Sequence, residues 1–373
     1  MSKYLFDDIA INSKEKKKPE PSDKVHYIGL EHLDSGCLTV RRYGADVAPI
    51  GDKLVMKKGD VLFGKRRAYQ KKVAIAPFDG IFSAHGMVLR PKTAVIDKDF
   101  FPLFIASDYF LDAAIKISVG SLSPTINWSD LKQLEFSLPP LDEQRKLAKV
   151  LWSAIELKEA YQKLLVQCDE MASSRFIELF GDGQFPTKTI KSICKIVTDG
   201  THQPPHFTDT GIPFLFVSNI IDNTLTYETS KFISEQDYVE LIKRTPIECG
   251  DILLSIVGSY GNPAIVRSTR RFCFQRHLAY LKPDKGCVIP EFLHAAFLSS
   301  GVKEQIERRV KGIAQKTLNL SELKSIEVPL PPLALQNEFA AFIEELDKSK
   351  VELQRSIASL ESLMKTLSQD IFT

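Results

Sequence analysis

Side chains able to grip an anionic polymer are concentrated in one stretch of the 373-residue sequence. Gly64-Lys65-Arg66-Arg67-Ala68-Tyr69-Gln70-Lys71-Lys72 places five cations, one aromatic ring and one amide between two apolar, strand-like runs. Loop Arg and Lys bind phosphates or take guanine edges, and Gln suits adenine; a solvated turn is the plainer alternative. A second loop, Gly258-Ser259-Tyr260-Gly261-Asn262, is neutral but offers Ser259, Tyr260 and Asn262 to a base edge, with Arg270-Arg271 and Arg276-His277 shortly after. Lys311-Gly312-Ile313-Ala314-Gln315-Lys316-Thr317 parallels Gly120 to Thr125, and each joins a glycine hinge to polar side chains. Lys14 to Lys18 (KEKKK) reads as a solvated loop first and a phosphate contact second.

Catalytic patterns are missing from the sequence. It has no [ND]PP[YF] of an amino-methyltransferase, since Asn262-Pro263-Ala264 stops short, and no glycine-rich cofactor loop, Walker A lysine or HExxH. Pro283-Asp284-Lys285 lacks the acidic-x-Lys of a nuclease. The seven histidines do not cluster, and the six cysteines form no CxxC pair, which reads as reduced thiols. His85 and His277 read as structural histidines before functional ones. Asp199-Gly200-Thr201-His202 offers a metal ligand or a base, but a turn closed by Asp and Thr accounts for it with less. No catalytic residue, metal ligand or cofactor is assigned.

The elements that must carry the loops come in two copies. Gly120 to Leu141 and Gly312 to Leu333 share the frame G-x4-T-[IL]-N-x2-[DE]-L-K-x-[LI]-E-[FV]-x-LPPL. Gly59-Asp60-Val61-Leu62 matches Gly250-Asp251-Ile252-Leu253, and Tyr69 is laid on Tyr260. Phe82, His85, Leu89 and Pro91 recur as Phe274, His277, Leu281 and Pro283, and Tyr27 to Leu30 can be laid on Phe214 to Val217. The order of features is preserved, so the chain is a tandem repeat of a roughly 190-residue unit. Each unit opens with short apolar runs broken by Gly and Pro, such as Val73 to Pro77 and Ile252 to Val257, which predict strands and turns. Helical segments near Phe100 to Ile117 and Glu291 to Val310 follow.

From LPPL onward apolar residues recur at 3-4 spacing. Leu147, Val150, Ala154, Leu157, Tyr161, Leu164, Cys168 and Met171 form one predicted seam, with Asp142 as its N-cap. Phe339, Ile343, Leu346, Lys350, Leu353, Ile357, Leu360, Met364, Leu367 and Ile371 form the other. Such sustained heptads predict a coiled coil of two helices of roughly 38 residues. If a pseudo-two-fold axis relates the units, the helices pair antiparallel. The expected class is α+β: two mixed α/β domains in pseudo-two-fold tandem at 1–137 and 184–329, separated by helices at 138–183 and 330–373.

Charge follows the same division. The two mixed domains carry net charges of +4 and +3 and the helical segments −2 and −3, within a total of +2. Positive heads are a modest sign of polyanion binding. Hydrophobic residues at 44% and charged residues at 26% are ordinary globular composition, and no stretch has the length of a membrane span. The charged opening Met1 to Lys18 has no signal-peptide core, so a cytoplasmic protein is expected.

The sequence resembles the specificity subunits of type I restriction–modification systems. The resemblance covers essentially the whole chain and rests on five features: the segments Leu138 to Gln144 and Leu330 to Gln336, the basic stretch Gly64 to Ala74, Asp199 to His202, Gly250 to Leu253, and the tandem layout. Leu335 departs from the pattern, standing where the first copy has Glu143. The resemblance implies two target-recognition domains, each reading half of a split double-stranded DNA site. It also implies helices that dock two methyltransferase subunits, with restriction–translocase subunits in the full complex, and no catalysis by this chain alone. The expected DNA-facing set is Lys65, Arg66, Arg67, Tyr69, Gln70, Lys71, Lys72, Ser121, Thr125, Thr201, His202, Ser259, Tyr260, Asn262, Arg276, Lys311, Gln315 and Lys316. The expected coiled-coil and docking set is Leu147, Leu157, Leu164, Leu346, Leu353, Ile357, Leu360 and Leu367. A diverged methyltransferase or nuclease, or a protein-only coiled-coil adaptor, is the alternative.

Overall fold

Successive strand side chains point to opposite faces, and a strand covered on both faces reads as an unbroken apolar run. Val61-Leu62-Phe63 is such a strand. In a computed structural model describing residues 1–181, 183–312 and 316–372, Val61 and Phe63 enter one core and Leu62 another. Ile252 and Leu254 likewise face a core opposite to that of Leu253.

The chain divides into two compact units, Met1–Tyr161 with Arg355–Thr373, and Gln162–Gln354. The main sheet of the first has strands β1 (Ala10–Ser13), β2 (Val61–Phe63), β3 (Val73–Ile75) and β4 (Met87–Pro91), all antiparallel in the order β1-β4-β2-β3. The second repeats it with β5 (Cys194–Asp199), β6 (Ile252–Ser255), β7 (Pro263–Ile265) and β8 (Leu278–Pro283), in the order β5-β8-β6-β7. Each unit adds a smaller sheet holding one parallel pair: Tyr27–Ile28 on Ile81–Phe82, and Phe214–Leu215 on Cys273–Phe274. These are the segments laid on one another in the sequence.

Helices Phe101–Ala106 and Asp108–Lys116, and in the second unit Pro290–Leu298 and Ser300–Arg309, cover one face of each main sheet. Ser107 and Ser299 hold equivalent places between them. Each hydroxyl accepts from the amide three residues on (Phe110, 3.3 Å; Val302, 3.4 Å) and donates to a carbonyl of the preceding helix (Phe104, 2.6 Å; Ala296, 2.7 Å). In the first core Phe6, Phe104, Phe110 and Phe136 meet with ring centroids 5.0 to 5.9 Å apart. Phe176, Phe180, Phe292 and Phe339 do so in the second, at 5.0 to 5.6 Å.

LPPL-x-x-Q is a built junction. Glu135–Leu138 pairs with Ser2–Leu5, and Glu327–Pro329 with Thr187–Thr189. The prolines then lead into helices α1 (Leu141–Phe180) and α2 (Leu333–Phe372). Gln144 is fully buried; its amide donates to Pro139 O (2.8 Å) and Val95 O (3.1 Å), and its Oε1 accepts from Asp97 N (2.8 Å). Gln336 repeats this with Pro331 O (2.8 Å), Cys287 O (3.0 Å) and Ile289 N (2.9 Å). Leu335 packs on the second core, so the lost acidic residue is replaced by apolar contact.

The helix expectations need two corrections. α1 begins at Leu141, so Asp142 is not the N-cap; it lies in the first turn and pairs with Arg145 (2.8 Å). On α2 the expected row is buried at Phe339 and half-buried from there to Leu367; the side chain of Ile371 is outside the described residues. On α1, however, Val150, Leu157, Leu164 and Met171 are 50%, 42%, 43% and 52% exposed. The inward row runs instead through Ala148, Leu151, Ala154, Leu165, Cys168 and Phe176. Two apolar rows lie side by side on α1, and the expected seam straddles them, with Leu147, Ala154, Tyr161 and Cys168 inward and the other four residues outward. Within the second unit Arg175 meets Glu338 (3.4 Å) and Lys350 meets Asp169, so α1 and α2 run antiparallel there. Within the first, Lys158 meets Glu361 (2.9 Å), and Met364 and Leu367 pack on the same core as Leu147.

Candidate nucleic-acid interface

In the first unit a backbone ladder ties the basic loop to the Gly120 hinge. Arg66 is bridged to Thr125 and Thr125 to Val119; Ile126 N donates to Lys65 O (3.0 Å) and Ala68 N to Pro124 O (3.3 Å). Arg66 N also reaches His85 O (3.3 Å). The segments around Lys65, His85 and Ser121 to Thr125 thus share one edge of the unit. The second unit repeats the arrangement: Val257 is bridged to Thr317 and Thr317 to Lys311, Leu318 N donates to Ile256 O (2.8 Å) and Ile256 N to His277 O (2.9 Å). Thr201 is bridged to Gln275, and Arg276 N donates to Thr201 O (3.1 Å), which joins Asp199 to His202 to the same edge.

The side chains there divide into committed and free ones. Lys71 is held by Asp108 (2.6 Å) and Asp112 (2.8 Å), which raise its ammonium above the ordinary value, and Lys72 donates to Leu30 O (2.7 Å). Two of the five cations therefore fasten the loop. Lys65 is half-buried, and burial, then the nearby Lys16, lowers its pKa. Arg66 is exposed with Nη1 3.4 Å from His85 Nε2, and Arg67, Tyr69 and Ser121 are exposed. Gln70 and Thr125 are half-buried, Thr125 donating to Ser123 O (3.0 Å).

In the second unit Tyr260 donates to Glu307 (2.8 Å) while Lys316 lies 5.7 Å from its ring centroid; hydrogen bonding to Tyr260 raises the Lys316 pKa. Lys311 pairs with Glu322 (3.2 Å), and Asn262 donates to Ser259 Oγ (2.9 Å). Ser259 and Arg276 are exposed; Gln315 lies outside the described residues. His202 is exposed and held by Asp199 (2.9 Å), whose other oxygen accepts from Arg244. Thr201 is half-buried and donates to Gln203 O (2.9 Å). Asp199, at the end of β5, is thus held by His202 and by Arg244, a partner that nothing in the sequence signals across 45 residues. His277 is half-buried, and burial, then Arg276, keeps its ring below the ordinary histidine pKa. The Gly-Asp motif is structural in both copies. Asp60 takes Arg90 bidentately (2.7 and 2.8 Å) and accepts from Lys57 N (2.8 Å), while Asp251 accepts from Tyr280 OH and Glu248 N, both at 2.8 Å. Among the described residues no group of three or more His, Cys, Asp or Glu is placed to hold a metal, and no helix is long and apolar enough to cross a membrane.

These edges offer backbone-positioned cations, hydroxyls and amides, the donor set for phosphates and base edges. The model of the type I restriction modification DNA specificity domain matches residues 10–165 and 184–361. The chain belongs to this family. It holds two such domains in tandem, matching the two structural repeats. It is 29% identical over 172 residues, 46% of this chain and 36% of the relative, to the type I restriction enzyme EcoBI specificity subunit of Escherichia coli. It is 22% identical over 326 residues, 77% of this chain and 74% of the relative, to the MjaVIII specificity subunit of Methanocaldococcus jannaschii. The fold is that of the type I restriction–modification S subunit from M. genitalium, at TM-score 0.58 and 17% identity, covering 100% of this chain and 96% of that one. Both relatives are named specificity subunits of type I restriction enzymes.

Proposed function

We propose that this specificity-domain chain reads a bipartite double-stranded DNA site, one half with each unit, for a type I restriction–modification complex. The observation that carries the reading is the duplicated edge: in both units the β2–β3 or β6–β7 loop is bridged to the glycine-hinge segment preceding the LPPL junction. The same frame carries different side chains, Lys65, Arg66 and Arg67 in one and Ser259, Tyr260 and Asn262 in the other. That is what unequal half-sites require. The recognition domains are 1–137 and 184–329, and the segments 138–183 and 330–373 hold α1 and α2. These helices dock two methyltransferase subunits, with restriction–translocase subunits added in the full assembly. Leu157 and Leu164, outward on α1, are available for that docking. The complex works in the cytoplasm.

The test is duplex binding by the wild-type chain and by a Lys65→Ala/Arg66→Ala/Arg67→Ala variant over a salt series. The wild type is expected to lose affinity steeply as salt rises, and the variant to lose one half-site. Unchanged affinity rejects the loop; salt-independent or absent binding favours an adaptor; cofactor binding or strand cleavage by the isolated chain favours an enzyme.

A further inference from the structure

Four non-glycine residues among those described have a positive φ: Arg67 (55°), Lys71 (48°), Asp222 (47°) and Asn223 (59°). L-residues avoid this left-handed region unless something compensates. Asp222 and Asn223 form the two-residue turn of the hairpin Ile220–Ile221 to Thr224–Leu225, where their residue types are favoured. Lys71 is fastened by Asp108 and Asp112. Arg67 opens the short 3-10 turn Ala68–Gln70, its carbonyl accepting from Gln70 N (2.9 Å), and no side chain fastens it as Lys71 is fastened. The Arg67 side chain is exposed and, among the described residues, makes no ion pair or side-chain hydrogen bond.

The second repeat shows what the first has added. Phe63 pairs with Val73 across the first loop, and Leu254 with Pro263 across the second. The intervening loops, Gly64 to Lys72 and Ser255 to Asn262, therefore differ by one residue, and each is closed by a bond between its ends (Gly64 N to Lys72 O, 2.9 Å; Ser255 N to Asn262 O, 3.0 Å). The ladder to the hinge segment locates the extra residue. After the Val257–Thr317 bridge, the next residue, Gly258, donates to Lys316 O (3.0 Å). After the Arg66–Thr125 bridge, the bond to Pro124 O comes from Ala68, and Arg67 is skipped. Arg67 is a one-residue bulge, a device that re-aims a side chain at the cost of a ladder position. The shorter loop puts its left-handed residues on glycine, at Gly258 (φ 75°) and Gly261 (φ 81°). In the first repeat the left-handed residues are Lys71, which stands where Gly261 does, and Arg67, the extra residue with no counterpart. Since Tyr69 follows the bulge, its counterpart is Ser259, so the sequence match of Tyr69 to Tyr260 is displaced by one position.

We infer that Arg67 is a specificity-determining residue, a guanidinium carried on a bulge to read a guanine edge in the half-site of the first unit. The inference rests on the DNA-reading function proposed above. Phosphates are alike along a duplex, so a contact to them serves both units equally; base readout is what must differ between them. A bidentate fork matched to guanine O6 and N7 is the commonest specific contact, and lysine does not reproduce it. An unpaired, exposed arginine in a conformation glycine would hold with less strain fits a residue kept for what it binds.

The test is selection from a randomised duplex library by the full chain co-purified with its modification subunits. Wild type, Arg67→Gly, Arg67→Lys and a deletion of Arg67, which restores the loop length of the second repeat, are compared, with melting temperatures for all four. The expected result is a two-part motif for the wild type. All three variants then lose roughly tenfold or more of the preference at one base pair of one half, with the other half and the gap unchanged. Arg67→Gly is expected to melt no lower than wild type. An unaltered motif in the variants overturns the inference. So does uniform weakening with the motif retained and Lys restoring binding, which marks a phosphate contact, and so does a lower melting temperature with the whole half-site lost, which marks a structural residue. A wild type that enriches no motif refutes instead the DNA-reading function on which the inference rests.

Discussion

Gln144 and Gln336 each satisfy two carbonyls and one amide at a point where the chain turns from a strand through two prolines into a long helix. Buried polar groups left without partners cost about 1–3 kcal/mol each. Gln144→Ala or Gln336→Ala is therefore expected to lower stability by about 3 kcal/mol or more, read by thermal or denaturant unfolding; an unaltered transition would show that water replaces the amide freely. A second prediction concerns His294, whose Nε2 donates to Asn223 O (3.2 Å). Burial above all holds its pKa below the ordinary value; Arg267 acts in the same direction, and the carbonyls of Asn223 and Pro263 and the Asp347 charge oppose them. The unfolded chain takes up this proton first, so stability is lost as pH falls through about 6.5 and below. Melting curves between pH 7.5 and 5.5 are expected to shift down, and His294→Gln to flatten that dependence; an equal slope in the variant contradicts it. The sequence marked both glutamines as part of a recurring motif but not their three bonds, because Val95, Asp97, Cys287 and Ile289 lie almost fifty residues away.

At the scale of elements, the heptad of α2 was legible because one apolar row dominates it. α1 has two adjacent rows, and spacing alone cannot say which one faces a core. The structure gives the two rows opposite expectations. Leu353→Ala, Ile357→Ala and Leu360→Ala, half-buried on α2, are expected to cost roughly 1–2 kcal/mol each, below the fully buried range. Leu157→Ala and Leu164→Ala, exposed on α1, should leave the isolated chain within about 0.5 kcal/mol of wild type. Equal losses in both sets would contradict the assignment of rows. The strands were legible for a different reason: unbroken apolar runs mark Val61 to Phe63 and Ile252 to Leu254 as strands covered on both faces, though not which strands they pair with. The Arg67 bulge was not legible, since a residue's φ is decided by the ladder on either side of it. The loop candidates were legible as a set, through their duplication, but not in their contacts; nothing in the spacing ties Lys71 to Asp108 and Asp112 or Lys72 to Leu30 O.

On the scale of the molecule, the chain holds two domains of one family with unequal loops, which is what the proposed reading of two unequal half-sites requires. If α1 and α2 set the distance between those half-sites, adding seven residues to each extends them by about 10.5 Å at 1.5 Å per residue, about three base pairs at 3.4 Å each. The unspecified gap is then expected to widen by about three base pairs, and an unchanged gap would show that the helices do not set it. The most direct measurement of the whole account is single-molecule methylation profiling of DNA from cells expressing this chain with its partner methyltransferase. The account predicts methylation at one site type made of two short, different motifs with a fixed number of unspecified base pairs between them. One contiguous motif, or a methylation pattern that does not depend on this chain, would contradict it.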